Sequence, residues 1–371
     1  MRFSLACHYS FPTVSARGSM QAENYTMPRT SCITADSTDF SNTLTKALQS
    51  CQINFLLGSG ASTPAIPIAG QIEDELNKLL EDPAALQAKK FEFLRAIQVS
   101  TNDLITSVEN ANNIETLDAH RQFLGILSRI LEERKTDLLP RQATVFTTNY
   151  DLFVERASES VVTLRVNDGF LRGPAVGAKP KYQPETFFDV TYKTGTLYRY
   201  TAAVPIVNLI KLHGSLSWRT AGTDLVYCAA ECEVPDPSAE DFATSLPLFL
   251  DQFSLVLPTK EKFKQTLVER TYYDLLRILA NSLEVENTVL IAFGFSFEDE
   301  HIRDLVTKAL KNPTLLLVIV AYSRGSIDGY KTKFANHNNV VIYHPDGDEL
   351  IKFPRFNELL SGVVPKSAYG N

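Results

Sequence analysis

Ile53-Asn54-Phe55-Leu56-Leu57-Gly58-Ser59-Gly60-Ala61-Ser62 is the stretch on which the fold turns. A short, nearly continuous apolar run stopped by glycine has the profile of a strand buried on both faces. Glycine permits positive φ and lets backbone N–H groups approach an anion, so the Gly58–Ser62 loop reads as a pyrophosphate cradle. A tight structural turn accounts for it equally well. The third glycine of the dinucleotide fingerprint is missing, and Pro64 and Pro67 delay any following helix. A P-loop is excluded, because no Gly-Lys-Ser/Thr follows.

Outward from this stretch the pattern repeats. Ala143–Phe146 runs into Thr147-Thr148-Asn149-Tyr150-Asp151, Val207–Leu212 into His213-Gly214-Ser215, and Val289–Phe293 into Gly294-Phe295-Ser296. Leu315–Ala321 and Val340–Tyr343 are further apolar runs. Helical periodicity marks Phe40–Leu48, much of 70–138 (with Asn113 as an N-cap), Leu152–Ala157, Phe263–Leu283 and Glu298–Leu310. Strands alternating with helices predict an α/β fold: a doubly wound, Rossmann-like parallel sheet. A helical insertion falls at about 70–138 and a smaller β-rich one at about 160–205. Order is expected to begin near Phe40. Residues 1–37, Ser/Thr-rich and aperiodic, read as an N-terminal arm or flexible tail, and 38–371 as one ligand-binding domain. The acidic stretch Glu231–Pro247 reads as a surface loop.

Composition narrows the class. With 371 residues, 44% hydrophobic and 21% charged, the chain resembles an ordinary soluble enzyme. A net charge of −7 supplies no basic field for nucleic acid or anionic lipid. No run approaches the roughly 18 apolar residues of a membrane span. Five loosely spaced cysteines argue against a disulfide framework and fit a reducing cytoplasm. Cys228 and Cys232 are the one close pair, and a structural zinc needs about four ligands.

Ligands of doubly wound sheets bind at the carboxyl ends of the strands, where the polar motifs lie. The Asn149 amide both donates and accepts, and would suit a ribose hydroxyl or a water; an Asn-Asp turn capping the next helix is the alternative. His213, ending an apolar strand, would accept a proton near neutral pH if it faces a crevice, and is structural if it does not. Gly294 and Ser296 would line the far side, or simply turn strand into helix. His120, His301, His337 and His344 read as core or surface residues. No serine nucleophile elbow is present, and Cys228 has no base nearby in sequence.

Taken in order, strand-GSGAS, TTNYD, KLHGS and AFGFS resemble the sirtuin family across about residues 40–345. The variant is similar to the sirtuin-like NAD hydrolases of bacterial anti-phage defence, in layout most like the subunit that partners a HerA-type hexameric ATPase. That resemblance implies NAD as substrate. It implies that Gly58, Ser59, Gly60, Ala61 and Ser62 hold the phosphates and adjacent ribose, and that Asn149 positions water or the nicotinamide ribose. Asp151 would support that loop, His213 would be the catalytic base followed by Gly214, and Gly294 and Ser296 would contact NAD from the next strand. Two departures bear on activity. Protein-deacylating sirtuins carry four zinc cysteines after the catalytic histidine, whereas this chain has Cys228 and Cys232, so no zinc is expected. Their Asp-Phe-Arg loop is replaced by Pro67-Ile68-Ala69-Gly70-Gln71.

The expectation is therefore an NAD+ glycohydrolase releasing nicotinamide and ADP-ribose, restrained in a homo-oligomer that works with an ATPase, without membrane or direct nucleic-acid binding. Protein deacylation or ADP-ribosyl transfer is one alternative. A non-catalytic subunit that senses NAD or ADP-ribose is the other.

Overall fold

Helices cover both faces of the central sheet, which is why its strands read as unbroken apolar runs rather than alternating ones. The computed structural model describes residues 27–34, 38–66, 72, 75–76, 78–134, 139–172, 177–195, 201–228, 232–255 and 266–364. Its main sheet contains β1 (Arg29–Ile33), β2 (Gln52–Leu57), β3 (Gln142–Thr147), β4 (Arg165–Asn167), β5 (Ile206–Lys211), β6 (Thr288–Phe293), β7 (Leu315–Val320) and β8 (Val340–Pro345). They lie in the order β1-β8-β7-β6-β2-β3-β5-β4, and every neighbouring pair is parallel.

Successive strand residues enter two separate cores. Phe55, Val145, Leu209 and Ile291 pack with α1 (Asp39–Ser50), α3 (Ala111–Glu132) and α8 (Phe353–Ser361). Leu56, Phe146, Ile210 and Leu290 pack on the other face with α6 (Thr266–Glu284) and α7 (Glu300–Ala309). From β2 the chain proceeds to β3 and β5; from β6 it proceeds the opposite way to β7 and β8. The order reverses between β2 and β6, so their outgoing loops diverge to opposite faces. This is a topological switch point, the usual position of a ligand crevice. The expected doubly wound parallel α/β sheet is present.

Several local expectations give way to tertiary context. Residues 29–33, read with the N-terminal arm, form β1 against β8. The segment Arg-Thr-Ser-Cys-Ile has no apolar run, and its strand character comes from the ladder it joins. Asn110, not Asn113, caps α3 by accepting from the Asn112 and Asn113 amides; Asn113 instead bonds Ser100 across to α2 (Pro83–Thr106). The stretch at about 160–205 supplies edge strand β4 to the main sheet as well as Phe170–Leu171 and Lys181–Tyr182, which pair into a small sheet with Trp218–Ala221 and Asp224–Tyr227. Within the supposed acidic loop, helix α5 (Phe242–Asp251) forms despite Pro247. Burial of Phe249 against Phe91 outweighs the lost backbone bond.

Candidate functional site

The glycine motif is first a packing device between adjacent strand ends. A Cβ on Gly58 would sit 2.3 Å from the Gly294 carbonyl oxygen, and one on Gly60 would sit 2.7 Å from the Gly294 Cα. Gly294 itself adopts φ +63°, open to glycine at little cost. The loop's amides are largely committed: Gly58 N–H donates to the Phe293 carbonyl, Gly60 to Gly294, Ala61 to Gly58 and Ser62 to Ser59. Among the described residues the Ser59 amide is the one in this loop without a backbone or side-chain acceptor. The loop thus offers an anion one unengaged amide and a floor of small residues.

Asn149 ties this loop to the end of β3. Its Nδ2 donates to the Gly58 carbonyl at 2.9 Å and to Ser62 Oγ at 2.7 Å, which uses both amide hydrogens. Its Oδ1 is left to accept from a water or a sugar hydroxyl. Ser62 Oγ donates onward to Asp151 Oδ2 at 2.6 Å, while Asp151 Oδ1 accepts the Phe153 amide at the start of α4 (Phe153–Ser158). Asp151 therefore acts as a brace for the loop, and it is buried.

Beneath lies a buried polar network. Lys211, at the end of β5, forms an ion pair with Glu155 at 2.8 Å and donates to the Asp151 carbonyl and, at 3.1 Å, to Ser215 Oγ. Burial pushes the Glu155 carboxyl up from its ordinary range, and the Lys211 ammonium pulls against that shift. His120 is sealed nearby, stacked on Phe153 and bonded through Nδ1 to the Thr116 carbonyl. Desolvation holds its pKa below the ordinary value of 6.5. It is a core histidine, as its sequence context suggested.

His213 follows β5 and is buried, with Nε2 3.1 Å from Asp299 Oδ2. The contact is close but not aligned as a hydrogen bond. Asp299 is fixed independently, because its Oδ1 caps α7 by accepting the Ile302 amide at 3.1 Å. The rings of Tyr150 and Tyr272 lie 6.3 and 6.2 Å from the imidazole, centroid to centroid. A mainly apolar pocket opens beside His213, lined by Leu212, Trp218, Leu225, Tyr272 and Leu275 among others. Gly214, at φ +86°, admits Ser254, whose carbonyl oxygen a Cβ would meet at 2.5 Å.

Gly58, Gly60, Ser62, Asn149, Asp151 and Gly294 are thus brought into one contact cluster. His213 is joined to it through Tyr150, whose carbonyl accepts the Leu216 amide beyond the histidine turn. Ser296 stands apart: it is exposed, and its Oγ accepts the amide of Glu298 in its own turn. Residues 67–71, expected to replace a cofactor loop, lie outside the described residues. Asp299, Lys211 and Glu155 were not foreseen. A cap signal precedes α7, and a lysine within the β5 run is conspicuous, yet neither reveals a partner distant in sequence. Among the described residues no group of three or more His, Cys, Asp or Glu side chains is placed to hold a metal ion. Cys232 instead packs toward the core, with its thiol pushed up by burial.

The sequence pattern of the SIR2-like domain matches residues 143–343, more than half of the chain, taking in Asn149, His213 and Gly294 but starting after the Gly58 loop. No curated protein matches. Among solved structures, a Sir2 homolog–NAD complex is similar at 15% identity and a TM-score of 0.44, covering 87% of this chain and 93% of that one. A Sir2 complex with the inhibitor EX-527, 2'-O-acetyl-ADP-ribose and deacetylated p53 peptide is similar at 16% identity and a TM-score of 0.41, covering 85% and 95%.

Proposed function

The chain belongs to the SIR2-like domain family, and from that premise we propose that it is an NAD+ glycohydrolase. The observation that carries this reading is the meeting, at neighbouring strand ends, of the Asn149–Gly58–Ser62 cluster with the buried His213–Asp299 contact.

In the proposed reaction the bond between the nicotinamide nitrogen and the ribose carbon breaks. Its electron pair stays with nicotinamide, which leaves neutral, and a water oxygen bonds to the ribose carbon. The barrier is that of forming an oxocarbenium-like sugar and delivering water to one face. Asn149 Oδ1 orients the water or the ribose hydroxyl, while the loop around Ser59 and Ser62 holds the dinucleotide; such fixed geometry supplies the entropic part of the acceleration. With Nε2 of His213 turned to Asp299, Nδ1 is the nitrogen that accepts the proton the water loses, and the carboxylate stabilises the imidazolium. General base assistance of this kind contributes about 10²–10⁴-fold. Gly58, Gly60, Ala61, Gly214 and Gly294 would shape the site by letting backbones approach, and Asp151 by bracing Ser62. Ser296 would meet NAD only at the rim.

The test is chromatography of NAD and its products with purified protein. His213→Ala and Asn149→Ala should each lower nicotinamide release by at least about 10²-fold while the circular dichroism spectrum is kept. Turnover unchanged in both variants sinks the mechanism. We further propose that the enzyme depletes NAD in anti-phage defence, held inactive in a homo-oligomer and working with a HerA-type ATPase. A monomer on sizing columns that is fully active alone would contradict that part.

One second reading, transfer of an acyl group from a peptide, needs more room than the apolar pocket beside His213 offers, which at about 20 Å³ takes one water-sized group. Incubation with an acylated peptide separates the two, since free ADP-ribose supports hydrolysis and acyl-ADP-ribose supports transfer.

A further inference from the structure

At the opposite, amino end of the sheet lies a second concavity unrelated to the chemistry above. It is an open cleft of about 350 Å³ between β2, β3 and the last turns of α6, within the size range of small-molecule sites. Among the described residues its polar lining is Gln52, Asn54, Gln142, Thr144, Asn281 and Ser282, and none of the described lining residues is charged. Strand register sets Asn54, Thr144 and Asn208 side by side on one face of adjacent strands. All three are buried, at 3%, 5% and 0% exposure. The Nδ2 groups of Asn54 and Asn208 have no hydrogen-bond partner among the described residues. A buried amide left unsatisfied is destabilising. Of the two, Asn54 lines the cleft, where a ligand can bring the acceptor that its amide lacks.

Phe188 stands at the cleft in a left-handed conformation, φ +71°, that a bulky residue adopts only when its surroundings impose it. The surroundings are the same polar row. Asn208 Oδ1 accepts the Phe188 amide at 3.4 Å, and Gln142 Nε2 donates to the carbonyls of Phe188 at 3.3 Å and Asp189 at 2.7 Å. The ring nevertheless remains 46% exposed. Two buried amides therefore hold an aromatic ring at the mouth of a cleft whose described lining is polar and uncharged.

We propose that this cleft is a second ligand site, for an uncharged planar ring bearing hydrogen-bond acceptors, of nucleobase or nucleoside size. Phe188 supplies the stacking face, Asn54 Nδ2 donates to a ring acceptor, and Gln142, whose Nε2 hydrogens are spent on the Phe188 and Asp189 carbonyls, offers its Oε1 to a ring N–H. A phosphate or carboxylate is disfavoured, because the described lining residues hold no cation to compensate its desolvation. The inference stands independently of the NAD reading. It has one consequence for it: β2, β3 and β5 each carry a residue of the polar row at one end and of the His213–Asn149 cluster at the other. At about 3.3 Å per residue the two ends lie roughly 15 Å apart.

The test is calorimetry and saturation-transfer NMR on the full chain, with adenosine, cytidine, uridine and nicotinamide as separate probes and AMP as the charged counterpart of adenosine. At least one uncharged probe should bind with a dissociation constant below about 1 mM. Phe188→Gly removes the ring at a backbone position that suits glycine, and Asn54→Leu replaces the unpaired amide by an apolar group of similar size. Each should weaken binding by about tenfold or more, AMP should bind more weakly than adenosine, and His213→Ala should leave probe binding unchanged. Absence of binding by every probe overturns the proposal. So does binding that survives both cleft substitutions, or binding that is lost in His213→Ala.

Discussion

The glycine loop after β2 and the histidine turn after β5 leave the same edge of one sheet, yet their atoms are committed differently. In the glycine loop the amides of Gly58, Gly60, Ala61 and Ser62 already have acceptors, and Gly58 and Gly60 are glycine because Gly294 lies against them. At the histidine turn a buried imidazole faces a buried carboxylate in close but imperfect alignment. The motif that looks most like a binding signature is thus chiefly architecture. The less conspicuous histidine turn holds the buried imidazole–carboxylate contact on which the proposed chemistry rests. Asn149 belongs to both, since its Nδ2 anchors the loop and, in the proposed reaction, its Oδ1 meets the substrate.

The comparison breaks most visibly at Gly294. Gly294→Ala combines a strained φ with a Cβ 2.8 Å from the Gly60 Cα, in a place where backbone must move. The expected cost is about 3 kcal/mol or more, read as a large fall in the denaturant midpoint or loss of soluble protein. A variant as stable as the parent would mean that the loops do not pack as described. Next in size is Asp299→Asn, which keeps the α7 cap acceptor but removes the charge facing His213. Its stability should change by no more than about 1 kcal/mol, while kcat should fall. Unaltered kcat would reduce Asp299 to a structural residue.

The smallest effect concerns His120, the histidine that the fold seals away. Its folded pKa lies below the unfolded value of 6.5 because burial disfavours the cation. The unfolded chain therefore binds the extra proton first, and this contribution to stability is full above 6.5 and is lost as the pH falls below it. Glu155, raised by burial, works in the other direction, so the informative quantity is the difference between parent and His120→Phe. The parent should lose more stability than the variant between pH 7 and pH 5, as followed by urea midpoints; parallel curves would contradict this assignment.

The same contrast explains what was legible in the sequence. Strands β2, β3, β5, β6 and β7 announce themselves because both faces are buried and their residues are mainly apolar. Their terminal motifs follow, because a parallel sheet places all such ends together. Edge strands β1 and β4 were not legible: Arg29–Ile33 and Arg165–Asn167 become strands through the neighbours they pair with. Of the candidate site, Asn149, Asp151 and the glycines were found by position at strand ends. Asp299, Lys211 and Glu155 required three-dimensional contacts that no spacing encodes. Likewise, the packing reason for Gly58 and Gly60 needs Gly294 in place before it can be seen.

The central claim, that the residues around His213 deliver water to the ribose of NAD, is tested most directly by isotope. Purified protein incubated with NAD in ¹⁸O-enriched water, with product mass measured, should release nicotinamide and ADP-ribose carrying one ¹⁸O, and His213→Ala should release neither above background. NAD left intact under all conditions, or ADP-ribose recovered only joined to an acyl group or a protein, would contradict the account.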